Sequence, residues 1–274
     1  MKRDVDWLAF LPHAVGNRYV RSVRRLSETT MIRQKIQSHA RDYIRRRSPA
    51  LSHVAVQNRI IDYLVVNEAA FVQCGANGVA EDDLQTRAVK SGVRCILIEP
   101  HPFYVDVLSE RYAKASNVTV VPRAASSRIT EASLYYVDPE MADEMDGAGP
   151  ANRWAHGQGS FSLESVKYWI EQNEFRWRSP EKTRRYIDGI RSIRVACAPL
   201  PAIIAEHGIR SGYAAVIDVQ GAENVVIRGM FKGQVRPGLV LYEDDRGLKL
   251  FNFLALRTRG YHCASLGSDV LFLK

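Results

Sequence analysis

Residues 71–82 read FVQCGANGVAED. The apolar stretch through Phe71 and Val72 meets Gly75-Ala76-Asn77-Gly78, and acidic residues follow. Strand, glycine turn and helix start is the layout with which open α/β sheets hold a nucleotide at the carboxyl end of a strand. Two common versions are absent. The dinucleotide fingerprint needs a second glycine that lets a pyrophosphate approach the backbone, and Asn77 stands there instead. A phosphate loop needs Gly-Lys-Ser/Thr, and none follows. The next apolar run, RCILIEP, ends in Glu99, 24 residues beyond Gly75. A carboxylate at that strand tip accepts hydrogen bonds from a ribose diol. A ribose site without a pyrophosphate cradle points to S-adenosylmethionine rather than NAD.

Outward from this stretch, short apolar runs alternate with helical segments. AAFVQCG, RCILIEP, VTVVPRAAS, SIRVACAPL, AAVIDVQG, LVLYED and DVLFLK are the strand candidates. Such alternation predicts an α/β fold with a mostly parallel sheet, and the last segment reads as a helix followed by two strands able to pair as a hairpin. Residues 138–159 are rich in Gly, Asp and Pro and read as loop; SLESVKYWIEQNEFRWR then reads as an inserted helix with many aromatic residues. The insertion at about 138–190 is expected to form a lid or acceptor-binding element.

A chain of 274 residues with 46% hydrophobic and 25% charged residues can bury a full core. No apolar run reaches the length of a membrane span, and the first residues make a poor signal peptide. Cys74, Cys95, Cys197 and Cys263 lack zinc-site spacing and read as thiols in a reducing compartment, so a cytoplasmic location is expected. The formal charge of +8 lies wholly in residues 1–50, which hold 12 Lys/Arg against 4 Asp/Glu. Within this basic arm, residues 31–47 place Ile32, Ile36, Ala40, Tyr43 and Ile44 at helical spacing among arginines. The chain therefore divides into an arm, 1–51, and a catalytic domain, 52–274. An anionic membrane face is one expected partner of the arm; docking on the domain or a second subunit is the other. The arm carries few aromatics and no nucleic-acid motif, which counts against a nucleic-acid-binding protein.

A third stretch, VIDVQGAENVVIRGM (216–230), ends an apolar strand at Asp218 and opens a helix at Gly221-Ala222-Glu223. Taken in order, FVQCGANGV, ILIEPHP, VTVVPRAAS, GSFSL, VIDVQGAENVVIRGM and LVLYED resemble the FkbM-type methyltransferases, a branch of the class I S-adenosylmethionine-dependent enzymes. The resemblance covers residues 52–274 and leaves the arm and the inserted helix unaccounted for. It implies a class I methyltransferase sheet, mostly parallel with a closing antiparallel strand and helices on both faces. It implies S-adenosylmethionine as cofactor, with Gln73, Gly75, Ala76 and Asn77 at its methionine end and Glu99 and Pro100 at the ribose. Arg123, Ala124 and Ala125 would flank the adenine, Ser160 would stand beside the site, and Asp218 and Glu243 would face the reacting centre. The family usually has acids where this chain has Gln73 and Gln220.

Methyl transfer to a hydroxyl needs alignment and removal of a proton, for which Asp218, Glu243 or a histidine is the natural base. His101 and His156 fall in loops near the site and read as surface histidines. No metal is expected. FkbM-type enzymes suggest O-methylation, so the expected acceptor is a hydroxyl of a saccharide or of a glycolipid or polysaccharide precursor. A small carboxylate or natural-product alcohol is the alternative. Tyr168, Trp169, Phe175 and Trp177 of the inserted segment would offer aromatic faces to a sugar.

Overall fold

A computed structural model describes residues 53–79, 83–146, 154–210, 212–243, 250–266 and 269–274. The basic arm and its amphipathic helix lie outside the described residues. Among the described residues, no helix is long and apolar enough to cross a membrane.

The chain starts with α1 (His53–Val66) and enters β1 (Ala70–Cys74), all five residues of which are buried. Then come α2 (Asp83–Lys90), β2 (Cys95–Ile98), α3 (Pro102–Arg111) and β3 (Val118–Val121). A second set follows: β4 (Ala124–Ser126), β5 (Thr130–Val137), α4 (Pro139–Asp146), a 3-10 turn at Ala155–Gly157, α5 (Leu163–Gln172), α6 (Pro180–Asp188) and β6 (Ile190–Pro199). The fold closes with α7 (Leu200–Glu206), β7 (Tyr213–Ile217), α8 (Glu223–Met230), β8 (Pro237–Glu243), α9 (Leu250–Arg257), β9 (His262–Leu266) and β10 (Asp269–Leu273).

The main sheet has the order β3-β2-β1-β7-β8-β10-β9. Its first five strands are parallel, β10 runs antiparallel to β8, and β9 and β10 pair as the expected hairpin. This is the architecture that the resemblance implied. Both faces are covered, which is why the strands read as continuous apolar runs. Val72, Cys74, Ile96, Ala215 and Ile217 pack beneath α7 and α8, whereas Phe71, Leu97, Ala214 and Val216 pack beneath α1 and α2.

Two features differ from the sequence reading. SIRVACAPL does not join the parallel sheet: β6 pairs with β4 in parallel and β5 antiparallel, giving a separate three-stranded sheet. The polar residues of β5 and β6 alternate outward while Leu134, Val195 and Cys197 form a small core of their own. Also, part of the expected loop at 138–159 is helix α4, whose Ala142 packs with Val137, Val166, Ile170 and Tyr186 in another local core. Helix α6 was not foreseen either, although Ser179 caps it by accepting from Lys182 N and Pro180 opens it.

Candidate active site

Register puts the site together. Cys74 of β1 is level with Ile98 of β2 on one side and Ile217 of β7 on the other. The residues one step beyond, Gly75, Glu99 and Asp218, therefore emerge side by side at the carboxyl end of the sheet. The chain runs outward from β1 through β2 and β3, then returns to build β7 and β8 on the opposite side. The crevice at such a reversal is where open α/β sheets bind ligands.

The glycine turn is clamped there. Gly75 N donates to Ile98 O at 2.9 Å, and Asp218 N donates to Cys74 O at 3.0 Å. Gly75 has φ +81°, and a Cβ at this position would lie 1.7 Å from the Asp218 carbonyl oxygen. Only glycine fits so close a crossing. Asn77 also takes a left-handed φ, +51°. Its Oδ1 accepts from Val79 N, and its Nδ2 donates to His156 O at 3.2 Å.

Glu99 is 6% exposed. Oε2 accepts from Asn77 N at 3.0 Å and Oε1 from His101 N at 2.9 Å, so the carboxyl group is oriented by the turn it faces. Burial pushes it up to about 7; the two backbone donors oppose that, and the Asp218 charge adds to it. Asp218 is exposed to the cleft, with Oδ1 accepting from Gln220 Nε2 at 2.8 Å. Ser160 donates to Gln220 O at 3.2 Å and pairs with Tyr135 through the backbone, which ties the three-stranded sheet to the end of β7. Glu223 caps the following turn by accepting from Gly221 N.

Gly75, Asn77, Glu99, Pro100, Ala124, Ser160 and Asp218 thus line one cleft, together with Ala125, Leu134, Tyr136 and Phe161. It encloses about 750 Å³, open solvent at its mouth included. Four expected residues stand elsewhere. Gln73 is buried within β1 on the Phe71 side, Ala76 is buried behind the turn, and neither lines the cleft. Glu243 ends β8 opposite Asp269, one strand farther from the crevice, and does not line it. Arg123 instead pairs with Glu206 at 2.6 Å.

The histidines require a correction. His101 and His156 are 6% and 3% exposed, not surface residues, and both line the cleft. His101 packs against Tyr104 and, edge-on at 4.3 Å, against Tyr136. Burial pulls it down to about 4, against the nearby Asp138 charge, so it is neutral at physiological pH. Neither of its ring nitrogens has a hydrogen-bond partner among the described residues. The aromatics expected from the insertion are not in the cleft: Tyr168 and Phe175 face solvent, and Trp177 packs on Tyr186. Tyr104, Tyr136 and Phe161 take that place, and of these only Phe161 falls within a motif quoted from the sequence, GSFSL.

The model of the methyltransferase FkbM domain matches residues 73–262. A crystal structure of the methyltransferase FkbM from Methylobacillus flagellatus KT is 13% identical, with a TM-score of 0.41; the match covers 76% of this chain and 44% of that one. No curated protein matches the sequence. With the family model spanning more than half of its length, the chain belongs to the FkbM methyltransferase family.

Proposed function

We propose that the protein is an S-adenosylmethionine-dependent O-methyltransferase acting on an uncharged hydroxyl compound, most simply a saccharide or a glycolipid or polysaccharide precursor. The charge make-up of the cleft carries this reading. Among the described residues, its lining includes Glu99 and Asp218 and neither Lys nor Arg. A dinucleotide would bring a pyrophosphate to a wall whose described residues carry two acids and no Lys or Arg. A sulfonium with its aminoacyl ammonium group meets complementary charge there instead, and the residues present fit it. Ala124, Ala125 and Leu134 offer an apolar wall to a base, and Glu99 offers two oriented oxygens to a ribose.

Once bound, the cofactor supplies an activated methyl group, whose transfer breaks a carbon–sulfur bond, leaves the electron pair on sulfur and releases one proton from a hydroxyl acceptor. The chain itself aligns the partners. Glu99 anchors one end of the cofactor, the Gly75 turn lets the backbone come close, and Asp218 supplies negative charge at the other end. A carboxylate acceptor would need a positive partner in the cleft. The neutral donors and rings of His101, Tyr104, Tyr136 and Phe161 suit hydroxyls and the faces of a sugar instead.

Calorimetry with S-adenosylhomocysteine tests the cofactor half. Glu99→Gln is expected to weaken binding by about 1.5–3 kcal/mol, the worth of a hydrogen bond to a charged group. Wild-type affinity should fall about tenfold per pH unit below 7, because the ligand selects the ionised carboxylate. The variant should lose that dependence. A pH-independent wild type, or a variant with unchanged affinity, overturns the assignment. Stability carries the opposite sign: a carboxyl group raised in the fold stabilises below its unfolded range and loses that contribution as pH rises through 7. The ligand-free Glu99→Gln protein should therefore melt higher than wild type at pH 8. Mass spectrometry of glycolipids and polysaccharide precursors from cells with and without the protein identifies the acceptor by the gain of one methylene. A methylated carboxylate in their place refutes the hydroxyl reading.

A further inference from the structure

A chain of three side chains leads from the cleft to bulk water. Tyr104 of α3 and His156 of the 3-10 turn both line the cleft. The Tyr104 hydroxyl lies 3.3 Å from His156 Nδ1, and His156 Nε2 lies 3.1 Å from Asp143 Oδ1 on α4. The imidazole side chain is 1% exposed and the Asp143 side chain 61%. A buried ring thus joins a phenol facing the cleft to a carboxylate in water.

Several contacts fix the ring in that position. Its backbone carbonyl accepts from Asn77 Nδ2, the Phe103 ring stacks on it, and the preceding residue's N–H donates to the Asp146 carboxylate. A carboxylate can only accept, so Asp143 selects the Nε2–H form of the ring and leaves the Nδ1 lone pair for the Tyr104 O–H. Burial first, and then the Glu99 charge, push the Tyr104 phenol far above its usual range. Tyr104 therefore does not wait as a phenolate; its oxygen takes a proton only as its own leaves.

We propose that Tyr104, His156 and Asp143 carry the acceptor's proton out of the cleft, with Tyr104 touching the acceptor hydroxyl and His156 and Asp143 acting through it. This rests on the hydroxyl-acceptor reading above. As the carbon–oxygen bond forms, the acceptor proton moves to the Tyr104 oxygen and the Tyr104 proton moves to His156 Nδ1. Nε2 gives its proton to Asp143 and thence to water. Once the product has left, Nε2 takes a proton back from water through Asp143 while Nδ1 gives its own to water in the emptied cleft, which restores the ring; the net release is one proton per methyl group, and no redox partner is required.

Nuclear magnetic resonance of the full-length chain labelled with ¹⁵N-histidine reads this without any acceptor. The His156 signals, identified by their loss in His156→Gln, are expected to show Nε2–H and a hydrogen-bonded Nδ1. Tyr104→Phe should free Nδ1 while keeping the tautomer, and Asp143→Ala should leave the tautomer unfixed. A wild-type ring protonated on Nδ1 instead overturns the proposal, since it could not receive the Tyr104 proton. With the methyl acceptor in hand, Tyr104→Phe and His156→Gln should each lower kcat about 100-fold, the scale of general acid–base help, with the acceptor KM unchanged. Asp143→Ala should lower kcat less, because water can replace an exposed carboxylate, and should leave S-adenosylhomocysteine affinity unchanged. Folded variants with wild-type kcat refute the relay alone. A wild type that binds no S-adenosylhomocysteine, or methylates no hydroxyl, refutes the parent reading whatever tautomer His156 adopts.

Discussion

Asp218→Asn is expected to lower kcat/KM for methyl transfer about 100-fold, equivalent to a loss of about 2.7 kcal/mol of transition-state stabilisation. Asp218 and Glu99 are the two acids among the described residues of the cleft, but they are placed differently. Glu99 is buried and held by two backbone donors, whereas Asp218 is open to the cleft and steadied by Gln220. The substitution keeps size and the Gln220 contact but removes the charge that, on the proposed function, would face a cationic reacting centre. It also removes the repulsion that helps raise Glu99, so the pH at which S-adenosylhomocysteine binding weakens should move down. Glu243→Gln is the matched control, since its carboxylate stands one strand beyond the cleft. Steady-state kinetics with equal effects in the two variants, or none in Asp218→Asn, would show that the role belongs elsewhere.

The second large effect concerns stability. Gly75→Ala would force a Cβ to within 1.7 Å of the Asp218 carbonyl oxygen, a backbone atom that no side-chain rotation can move. Overpacking costs about 1–3 kcal/mol, and a left-handed φ of +81° on alanine adds about 1–3 kcal/mol more. Against a total stability of about 5–15 kcal/mol, a loss near the middle of that sum is severe. At about 2–4 °C per kcal/mol for a domain of this size, thermal unfolding should shift down by roughly 10 °C. A variant that melts with wild type would mean that β1 and β7 separate more easily than their hydrogen bonds imply. Gly92, whose φ is +79° with open space beside it, is the comparison: Gly92→Ala bears the backbone strain without the clash.

The three strand ends were legible in sequence for a physical reason. Strands buried on both faces appear as unbroken apolar runs, so the first polar or glycine residue after each run marks the rim where the ligand sits. Glu99 and Asp218 were found this way; Gln73 interrupts the β1 run, and Gly75 was found from the glycine turn that follows. Glu243 satisfies the same rule but is one strand too far from the reversal, a distance that strand order sets and a local pattern does not. The three-stranded sheet was missed because TEASLYYV is half-exposed and carries no turn signature, while SIRVACAPL is apolar enough to pass for a central strand. Burial of His101 and His156 was also illegible. It depends on Tyr136, Tyr104 and Asp143, which arrive from distant segments and alter neither the loop-like composition nor the spacing around the histidines.

The three-stranded sheet and the helices α4 to α6 are inserted between β3 and β7, and the packing of their apolar residues stays largely within the insertion. The cofactor-facing wall, built from β1, β2 and β7, draws on the two large cores of the main sheet. The two walls of the cleft therefore rest on largely separate cores. Leu134, Tyr136 and Phe161 can be exchanged at the expense of a small satellite core while the clamp between Gly75 and Asp218 is left alone. A change of shape in one wall is thus absorbed locally, without strain on the strand ends that form the other.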